Sequence, residues 1–443
     1  MTKPDDKSLL YLKRGIWAYF FLLIFEGALR KWVLPGLATP LLVVRDPLAV
    51  WILYSVWQKG RLPKSPYLTG MFVLGLLSIV TAMLFGHGSL PVAIFGARIL
   101  LIQFPLIFAI GRVFDQEDVI EMGKVLLWIS LPMAVLIAMQ FYSPQNAWVN
   151  RGVGGDAQGA GFSGAMGFFR PPGTFSFTSG NSLFFALVAC FVVYFWLNPK
   201  VNKVILVMAS GAVIAAIPLS ISRTLFFSIG ISVFFAVVAT LMNGKNAAKM
   251  IGAGIVIFIA LTILSQVSFF QTATQAFTDR FTNANDTEGG LKGTLGDRYI
   301  GGMVTAIRTS TEQPFFGYGV GMGTNVGSML LTGDRKFLIS EEEWGRVLGE
   351  LGTIMGLSMI FIRVGLSIKL LLRGYNRMLA GDLLPWMLLS FGLLVIPQGQ
   401  WAQPTNLGFA TLIGGLIIAS MTIRKSVYPA QVEDVIREFD RHT

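Results

Sequence analysis

Hydrophobic residues along the chain are concentrated in runs of about 20 residues, the length an α-helix needs to cross a bilayer. Short polar or glycine-rich stretches separate the runs, so the pattern predicts an all-α polytopic membrane protein with about twelve transmembrane helices. The weakest candidates are 41 to 57, which Arg45 and Asp46 interrupt, and 91 to 110, which contains Arg98. We expect the helices to begin near residues 16, 41, 67, 91, 122, 181, 203, 224, 250, 347, 383 and 405.

The composition agrees with this pattern. Hydrophobic residues make up 53% of the 443 residues and charged residues 13%, against roughly 25% charged in an ordinary soluble domain. A soluble enzyme with one signal anchor is therefore excluded. A secreted domain braced by disulfides is excluded too, because Cys190 is the single cysteine, and its apolar run favours a buried side chain. We expect one integral membrane domain over residues 1–443.

The net charge of +11 would suggest nucleic-acid binding in a soluble chain. In a membrane protein, the positions of the basic residues instead indicate how the chain is oriented in the bilayer. Of the 35 Lys and Arg residues, 20 lie in the N-terminal tail, in alternate connections between the predicted helices and at the C-terminal end. Both termini are therefore predicted to be cytoplasmic, with residues 424–443 as a cytoplasmic tail and no nucleic-acid partner. No small-residue cleavage site follows the first apolar run, so we expect that helix to remain uncleaved.

Two long connections are then predicted on the outer face. The first, 143–180, is rich in glycine, and the second, 269–346, joins the ninth and tenth predicted helices. Within the second, Ile300, Met303, Val304 and Ile307 recur at helical spacing, which predicts an amphipathic helix lying on the membrane or over a cavity. No internal repeat of fixed period is visible, so a transporter built from repeats gains no support.

Several kinds of site are disfavoured by the residues themselves. The two histidines, His87 and His442, have no metal-ligand set or catalytic triad around them, so we expect no metal and no cofactor. The glycine run GYGVGMG at 317–323 lacks the Gly-Lys-Ser/Thr ending of a phosphate loop and has no strand before it. A close-packed external turn is the better interpretation of that run.

Arginines within or beside the predicted membrane spans are more informative, because each costs roughly 2.5–3.5 kcal/mol at a helix centre and so has a partner or a function. Arg45 could pair locally with Asp46. Arg98 could pair with Glu26, or the two could line a cavity, and Arg363 could serve structure or function.

Two further arginines stand at the predicted outer face. Arg170 opens the segment RPPGTFSFTSGN just before the sixth predicted helix, where two prolines restrict the backbone. Arg223 lies in SISRTLF, among three hydroxyl side chains in the short turn between the seventh and eighth helices. A guanidinium with hydroxyl neighbours suits a phosphate or pyrophosphate group, with interface snorkelling as the alternative.

An acidic run, Glu341 to Glu343, precedes the tenth predicted helix on the same face. Three adjacent carboxylates repel one another, which favours proton uptake by one of them and suits it to take a proton from a hydroxyl group. The alternative is a solvated helix N-terminus, where carboxylates interact favourably with the helix dipole.

Four segments together resemble the O-antigen ligase and O-antigen polymerase superfamily: RPPGTFSFTSGNSLFFAL (170–187), SISRTLFFSIG (220–230), DRYIGGMVTAIRTSTEQPFFGYGVGMG (297–323) and EEEWGRVLGELGTIMGL (341–357). Twelve helices with a large loop between the ninth and tenth also fit that family. The resemblance implies a metal-independent membrane glycosyltransferase that uses a polyprenyl-diphosphate-linked glycan donor at the periplasmic face of the inner membrane, so that both long loops would be periplasmic. It further implies that Arg170, Arg223 and Arg298 hold the diphosphate.

The chain departs from the ligase pattern at one position. Ligases of the superfamily have a histidine before the tenth helix, and matching the ELG of this chain to the ligase pattern places Glu341 there. A carboxylate can act as general base, so the resemblance implies that Glu341 or Glu342 is catalytic and favours a polymerase of O-antigen or exopolysaccharide. A ligase that transfers the glycan to lipid A core remains an alternative, as does a lipid-linked glycan flippase or transporter. Other polysaccharide export proteins are possible partners, and residues 1–66 match no part of the family pattern.

Overall fold

The computed structural model describes residues 4–242, 254, 262, 267–288, 301–334 and 336–422. All regular elements in this part of the chain are helical, apart from one isolated bridge between the backbones of Ser163 and Phe169. The helices are α1 (Pro4–Ala28), α2 (Arg45–Gln58), α3 (Pro66–Leu84), α4 (Leu90–Arg98), α5 (Phe104–Val113), α6 (Gln116–Tyr142), α7 (Thr178–Leu197), α8 (Lys203–Leu219), α9 (Arg223–Met242), α10 (Ser268–Glu288), α11 (Gly302–Arg308), α12 (Asn325–Thr332), α13 (Glu343–Leu379), α14 (Leu384–Val395) and α15 (Pro404–Ser420).

Eight of the described helical segments are long and apolar enough to cross a membrane, and three shorter ones are apolar. Ten of them begin within six residues of a predicted start, and Lys7–Val33 begins nine residues before the start predicted at 16. The remaining candidate, near residue 250, lies outside the described residues except for residues 254 and 262. The architecture is thus all-helical and compatible with a polytopic membrane protein, as predicted. The eight long segments are Lys7–Val33, Pro40–Gln58, Pro66–Leu84, Leu90–Val113, Gln116–Tyr142, Thr178–Leu197, Arg223–Met242 and Glu343–Leu379; the three shorter ones are Lys203–Leu219, Leu384–Val395 and Pro404–Ser420.

Helix α7 forms the centre of the bundle. It is buried along almost its whole length, and α6, α8, α9, α14 and α15 pack around it. Cys190 on α7 is buried, as predicted, with its Sγ 3.2 Å from the Ser390 hydroxyl of α14. Ser390 is in turn 3.0 Å from the Ser232 hydroxyl of α9, so small polar groups tie three helices together away from water.

Buried ion pairs join the N-terminal helices in a different way from that expected. Arg98 does not pair with Glu26: its Nη1 lies 2.5 Å from Asp46 Oδ2. Arg45 does not pair with the neighbouring Asp46: its Nε lies 3.1 Å from Glu26 Oε2, and Glu26 also contacts Arg30 at 3.5 Å. Neither Arg98 nor Glu26 lines either of the two cavities described below. The expected pairing of Arg45 with Asp46 was wrong because adjacent residues on a helix point in different directions.

The predicted loop at 269–346 contains helical structure. Helix α10 occupies about its first quarter, and α11 and α12 follow. Of the predicted amphipathic residues, Met303, Val304 and Ile307 lie on α11, where Val304 and Ile307 are exposed, while Ile300 lies outside the described residues. Helix α11 packs against α13, so this loop covers the start of a membrane-length helix.

Candidate functional site

A cavity of about 650 Å3 lies where several long helices begin. The first turns of helices expose backbone N–H groups that have no partner within the helix, so they carry partial positive charge. Several such turns around one cavity favour an anionic ligand. The contributing residues are Thr178 of α7, Arg223 of α9, Glu343 of α13 and Asn406 of α15.

Among the described residues, three arginines line this cavity. Two of them, Arg170 and Arg223, are those that the sequence singled out. The third is Arg280 on α10, which sequence reasoning missed. Arg298, the other predicted phosphate ligand, lies outside the described residues. The structure therefore brings together cationic side chains from three distant parts of the chain.

The Arg170 segment is held by hydrogen bonds to its backbone. Arg170 N donates to Phe162 O at 2.8 Å, which closes a small hairpin. Three residues further on, Gly173 N donates to Gln140 Oε1 at 2.8 Å, and Gly173 O accepts from Lys31 Nζ at 2.6 Å. Gly173 has a positive φ of 60°, which is accessible to glycine at little cost. The chain path after Arg170 is therefore tightly constrained.

The N-terminal residues, which matched no family pattern, support that same segment. The Arg30 guanidinium donates to Ser176 Oγ at 3.0 Å, and the Thr174 hydroxyl donates to Ile24 O at 2.6 Å. Gly27 has no room for a side chain, because a Cβ there would clash with the backbone around Thr174. The sequence EGALRK at the end of α1 thus positions the loop that carries Arg170.

Arg223 is positioned by the start of α9. Ser222 Oγ accepts a hydrogen bond from Leu225 N at 3.2 Å, which caps the helix, and also accepts from the Ser182 hydroxyl of α7 at 2.9 Å. Ser222 and Thr224 line the cavity beside Arg223. Ser220, the third hydroxyl near Arg223 in sequence, donates instead to Ile217 O at 3.1 Å and is not among the lining residues.

Arg280 connects α10 to the Arg170 hairpin. Its Nη1 donates to Gly164 O at 3.0 Å, within the hairpin that Arg170 closes. The polar character of α10 is a weak sequence signal, because a run of Thr, Gln and Asn residues without a local motif does not indicate which side chain faces a site. Arg280 is therefore identified as a cavity residue only by the tertiary structure.

The three acidic residues are not equivalent. Glu341 and Glu342 are exposed and line the cavity, whereas only 4% of Glu343 is exposed. Glu343 Oε1 lies 2.6 Å from Arg363 Nη1 and 2.9 Å from Arg346 Nη2, so its charge is balanced by two buried guanidinium groups. Arg363 is thus held by structural pairing, one of the two roles that the sequence left open. Only Glu341 and Glu342 remain available for chemistry.

Amide side chains from the segment between α14 and α15 and from the first turn of α15 complete the wall. The sequence interpretation overlooked Gln398, Gln400, Gln403 and Asn406, although PQGQWAQPTN interrupts two apolar runs and could have been noticed. Gln400 Nε2 donates to the backbone oxygen of Glu341 at 3.0 Å, which links this segment to the acidic run. Within the described part of the chain, Asn406 Oδ1 is buried and has no hydrogen-bond donor, so an acceptor is left for a ligand or water.

The glycine run at 317–323 packs against a break in α13, in agreement with a close-packed turn. At Gly352 the backbone has φ 74° and ψ 178°, which interrupts the helix. Tyr318 N donates to Gly349 O at 2.7 Å and Gly319 N donates to Glu350 O at 3.0 Å, so the run satisfies carbonyl groups freed by the break. This contact fixes the first turns of α13, and with them the acidic residues.

Gly352→Ala is expected to destabilise the protein. A Cβ at this position would clash with Phe315 O, and the positive φ alone costs an L-residue about 1–3 kcal/mol. The measurement is the midpoint of thermal unfolding of the purified protein in detergent. Gly211→Ala is the matched control, since nothing lies within 4 Å of its added Cβ and alanine favours a helix interior. Equal midpoints for the two variants would contradict this account of the break.

His87 lies outside the lining of the arginine-containing cavity. His87 Nε2 lies 3.1 Å from Val320 O and its Nδ1 accepts from Ser89 N at 3.0 Å, so its ring ties a turn to the glycine run. His442 lies outside the described residues. Over the ranges that the structure describes, no group of three or more His, Cys, Asp or Glu side chains could hold a metal ion.

The arrangement combines two chemical capacities. Three arginines and several helix N-termini can hold an anionic group and stabilise negative charge that develops on it. Two exposed carboxylates on the same cavity can accept a proton from a hydroxyl group.

No protein-family model matches the chain, and no curated protein matches its sequence.

Proposed function

We propose that this chain is a polysaccharide polymerase of the bacterial inner membrane, which joins lipid-linked glycans at the periplasmic face. One observation carries the proposal: Arg170 and Arg223 line the same cavity as Glu341 and Glu342, although more than 100 residues separate the arginines from the acidic run. An anion site next to a base is what displacement of a diphosphate by a sugar hydroxyl requires.

The membrane topology forms part of the proposal. Twelve helices with both termini in the cytoplasm would make α7, α9, α13 and α15 the sixth, eighth, tenth and twelfth spans, all of which would begin at the periplasmic side. The first turns of these four helices line the cavity. The excess of Lys and Arg in the opposite connections supports the same orientation. The cavity would then open to the periplasm, where exported lipid-linked glycans are found.

The proposed reaction is a single displacement. Arg170, Arg223 and Arg280 would bind the diphosphate of a polyprenyl-diphosphate-linked glycan. A hydroxyl of the acceptor glycan would lose its proton to a carboxylate of the acidic run, and its oxygen would bond to the anomeric carbon of the donor. The bond from that carbon to the diphosphate oxygen would break, with the electron pair remaining on the diphosphate. One displacement predicts inversion at the anomeric carbon.

Purified protein in detergent, supplied with lipid-linked oligosaccharide, is expected to yield elongated glycan. The reaction needs no nucleotide sugar and no sealed membrane, because the donor is already lipid-linked and the proposed donor site and base line the same cavity. Product length can be measured by gel electrophoresis or mass spectrometry. A flippase would instead move the oligosaccharide across vesicles without elongating it.

A deletion strain separates the polymerase from the ligase. Loss of a polymerase is expected to leave single repeats, whereas loss of a ligase would leave normal polymer on its lipid carrier. Normal polymer on the carrier would contradict the polymerase proposal while leaving the donor chemistry of the cavity intact.

A further inference from the structure

A second cavity, of about 520 Å3, adjoins the first beneath α11. Its polar lining comes from α11, from the segment between α11 and the first residues of the glycine run, and from the residues just before α13. Within the described ranges, no Lys or Arg side chain lines it, in contrast to the three arginines of the first cavity. The polar side chains that line it are Thr305, Thr309, Gln313, Tyr318, Ser340 and Glu342.

The lining chemistry suits a neutral polyhydroxylated ligand. Hydroxyl and amide groups both donate and accept hydrogen bonds, as do sugar hydroxyls. The exposed ring of Tyr318 offers an apolar face together with a polar phenol group, which suits the mixed surface of a sugar. Among the described lining residues, none offers a cation to a diphosphate here. The two cavities therefore differ in the part of a glycan substrate that each can hold.

Glu342 lies at the boundary between the two cavities. It lines both of them, as does Gly302, whereas Glu341 lines only the first. Gly302 leaves room for the carboxylate, because a Cβ on this residue would clash with Glu342 Oε2. The Glu342 backbone is held in place as well, since its N–H donates to Ser340 Oγ at 3.1 Å and its carbonyl accepts from Arg346 N at 2.9 Å.

We infer that the second cavity binds the acceptor glycan and that Glu342, rather than Glu341, takes the proton of the attacking hydroxyl. The inference rests on the proposed function and divides the site into an anionic-donor cavity and a neutral-acceptor cavity. The hydroxyl proton passes to Glu342, the hydroxyl oxygen bonds to the donor's anomeric carbon, and the diphosphate leaves into the arginine-lined cavity with its electron pair. A base at the boundary is placed where the two substrates meet.

The test of the acceptor cavity uses the oligosaccharide repeat unit released from its lipid by mild acid. This probe has no diphosphate, so it can act only as acceptor. The double variant Thr309→Val and Gln313→Leu is expected to raise the acceptor KM at least about tenfold and leave the donor KM unchanged, because two hydrogen-bonding groups are lost. The double variant Thr278→Val and Gln158→Leu is the control, since these exposed residues line neither cavity.

Direct binding of the same probe, measured by saturation-transfer NMR, separates this inference from the proposed function. The wild-type protein and Arg223→Ala are expected to bind it, and the Thr309→Val, Gln313→Leu variant is expected to lose binding. Unchanged acceptor KM and binding in that variant, alongside normal wild-type elongation, would overturn the inference and leave the polymerase proposal standing. Absence of elongation by wild-type protein that still binds the probe would instead overturn the polymerase proposal.

A comparison of Glu→Gln variants tests the assignment of the base. Glu342→Gln is expected to lower kcat by about 10²–10⁴-fold with little change in either KM, as for loss of a general base. Glu341→Gln is expected to retain more of the turnover, and Glu312→Gln is the exposed control outside both cavities. A larger loss in Glu341→Gln than in Glu342→Gln would overturn the assignment.

Discussion

Arg223→Ala and Arg170→Ala are each expected to abolish the polymer without lowering the amount of protein in the membrane. Both guanidinium groups line the cavity and would stabilise charge that develops on the departing diphosphate. Removing one such preorganised donor costs about 10²–10³-fold in turnover. The measurement is glycan length in cells that express each variant, with membrane abundance determined by immunoblot.

Two further variants sharpen this prediction. Arg373→Ala removes an exposed arginine on α13, 30 residues after Glu343 and outside the cavity lining, and should leave polymer length normal. Arg223→Lys keeps the charge but loses the planar fork that binds phosphate oxygens in pairs, so intermediate polymer length is expected. Normal polymer in both alanine variants would contradict the assignment of this cavity.

The helical framework could be predicted because apolar length is a local property. A run of about 20 apolar residues identifies a membrane-length helix without any information on its neighbours. Eleven of the twelve predicted starts correspond to described apolar helices, and even the segments weakened by Arg45 and Arg98 are helical. Those arginines are accommodated because ion pairs to Glu26 and Asp46 compensate their charge.

Partners across helices could not be predicted in the same way. The pairing of Arg45 with Glu26 and of Arg98 with Asp46 depends on how α1, α2 and α4 rotate against one another. The hydrophobic pattern of such helices carries little rotational information, since lipid-facing and core-facing residues are both apolar. The hydrogen bonds between the end of α1 and the segment after Arg170 could not be predicted for the same reason.

The residues of the candidate site could be predicted only where they are charged and lie next to apolar runs. Arg170, Arg223 and the acidic run meet both conditions, and the structure places them on one cavity. Arg280 lies in a helix that contains many other polar residues, and Gln398 and Gln400 are uncharged, so none of the three was conspicuous. The sequence did not show that Glu343 differs in role from Glu341 and Glu342, because that difference depends on its ion pairs with Arg346 and Arg363.

Glu343 anchors the start of α13 to the segment that precedes α15. Its carboxylate accepts hydrogen bonds from Arg346 and Arg363, and its Oε2 accepts from Trp401 N at 3.1 Å. Arg363 is fully buried, donates to Ile396 O at 2.9 Å and stacks 3.8 Å from the centre of the Trp401 ring. Arg346 has a second partner, since its Nη1 lies 2.6 Å from Glu350 Oε2. The carboxylates of Glu343 and Glu350 therefore balance the guanidinium groups of Arg346 and Arg363.

Glu343→Gln is accordingly expected to destabilise the fold by about 3–5 kcal/mol, the cost of leaving a buried charge without its counterion. Thermal unfolding in detergent measures the effect, and Glu341→Gln, which neutralises an exposed neighbour, should unfold near the wild-type temperature. Adding Arg363→Met to Glu343→Gln removes the uncompensated charge and leaves the Arg346–Glu350 pair intact, so it should recover part of the loss. If Glu343→Gln unfolded at the same temperature as Glu341→Gln, Glu343 would have no structural role, and the acidic run would again offer three candidate bases.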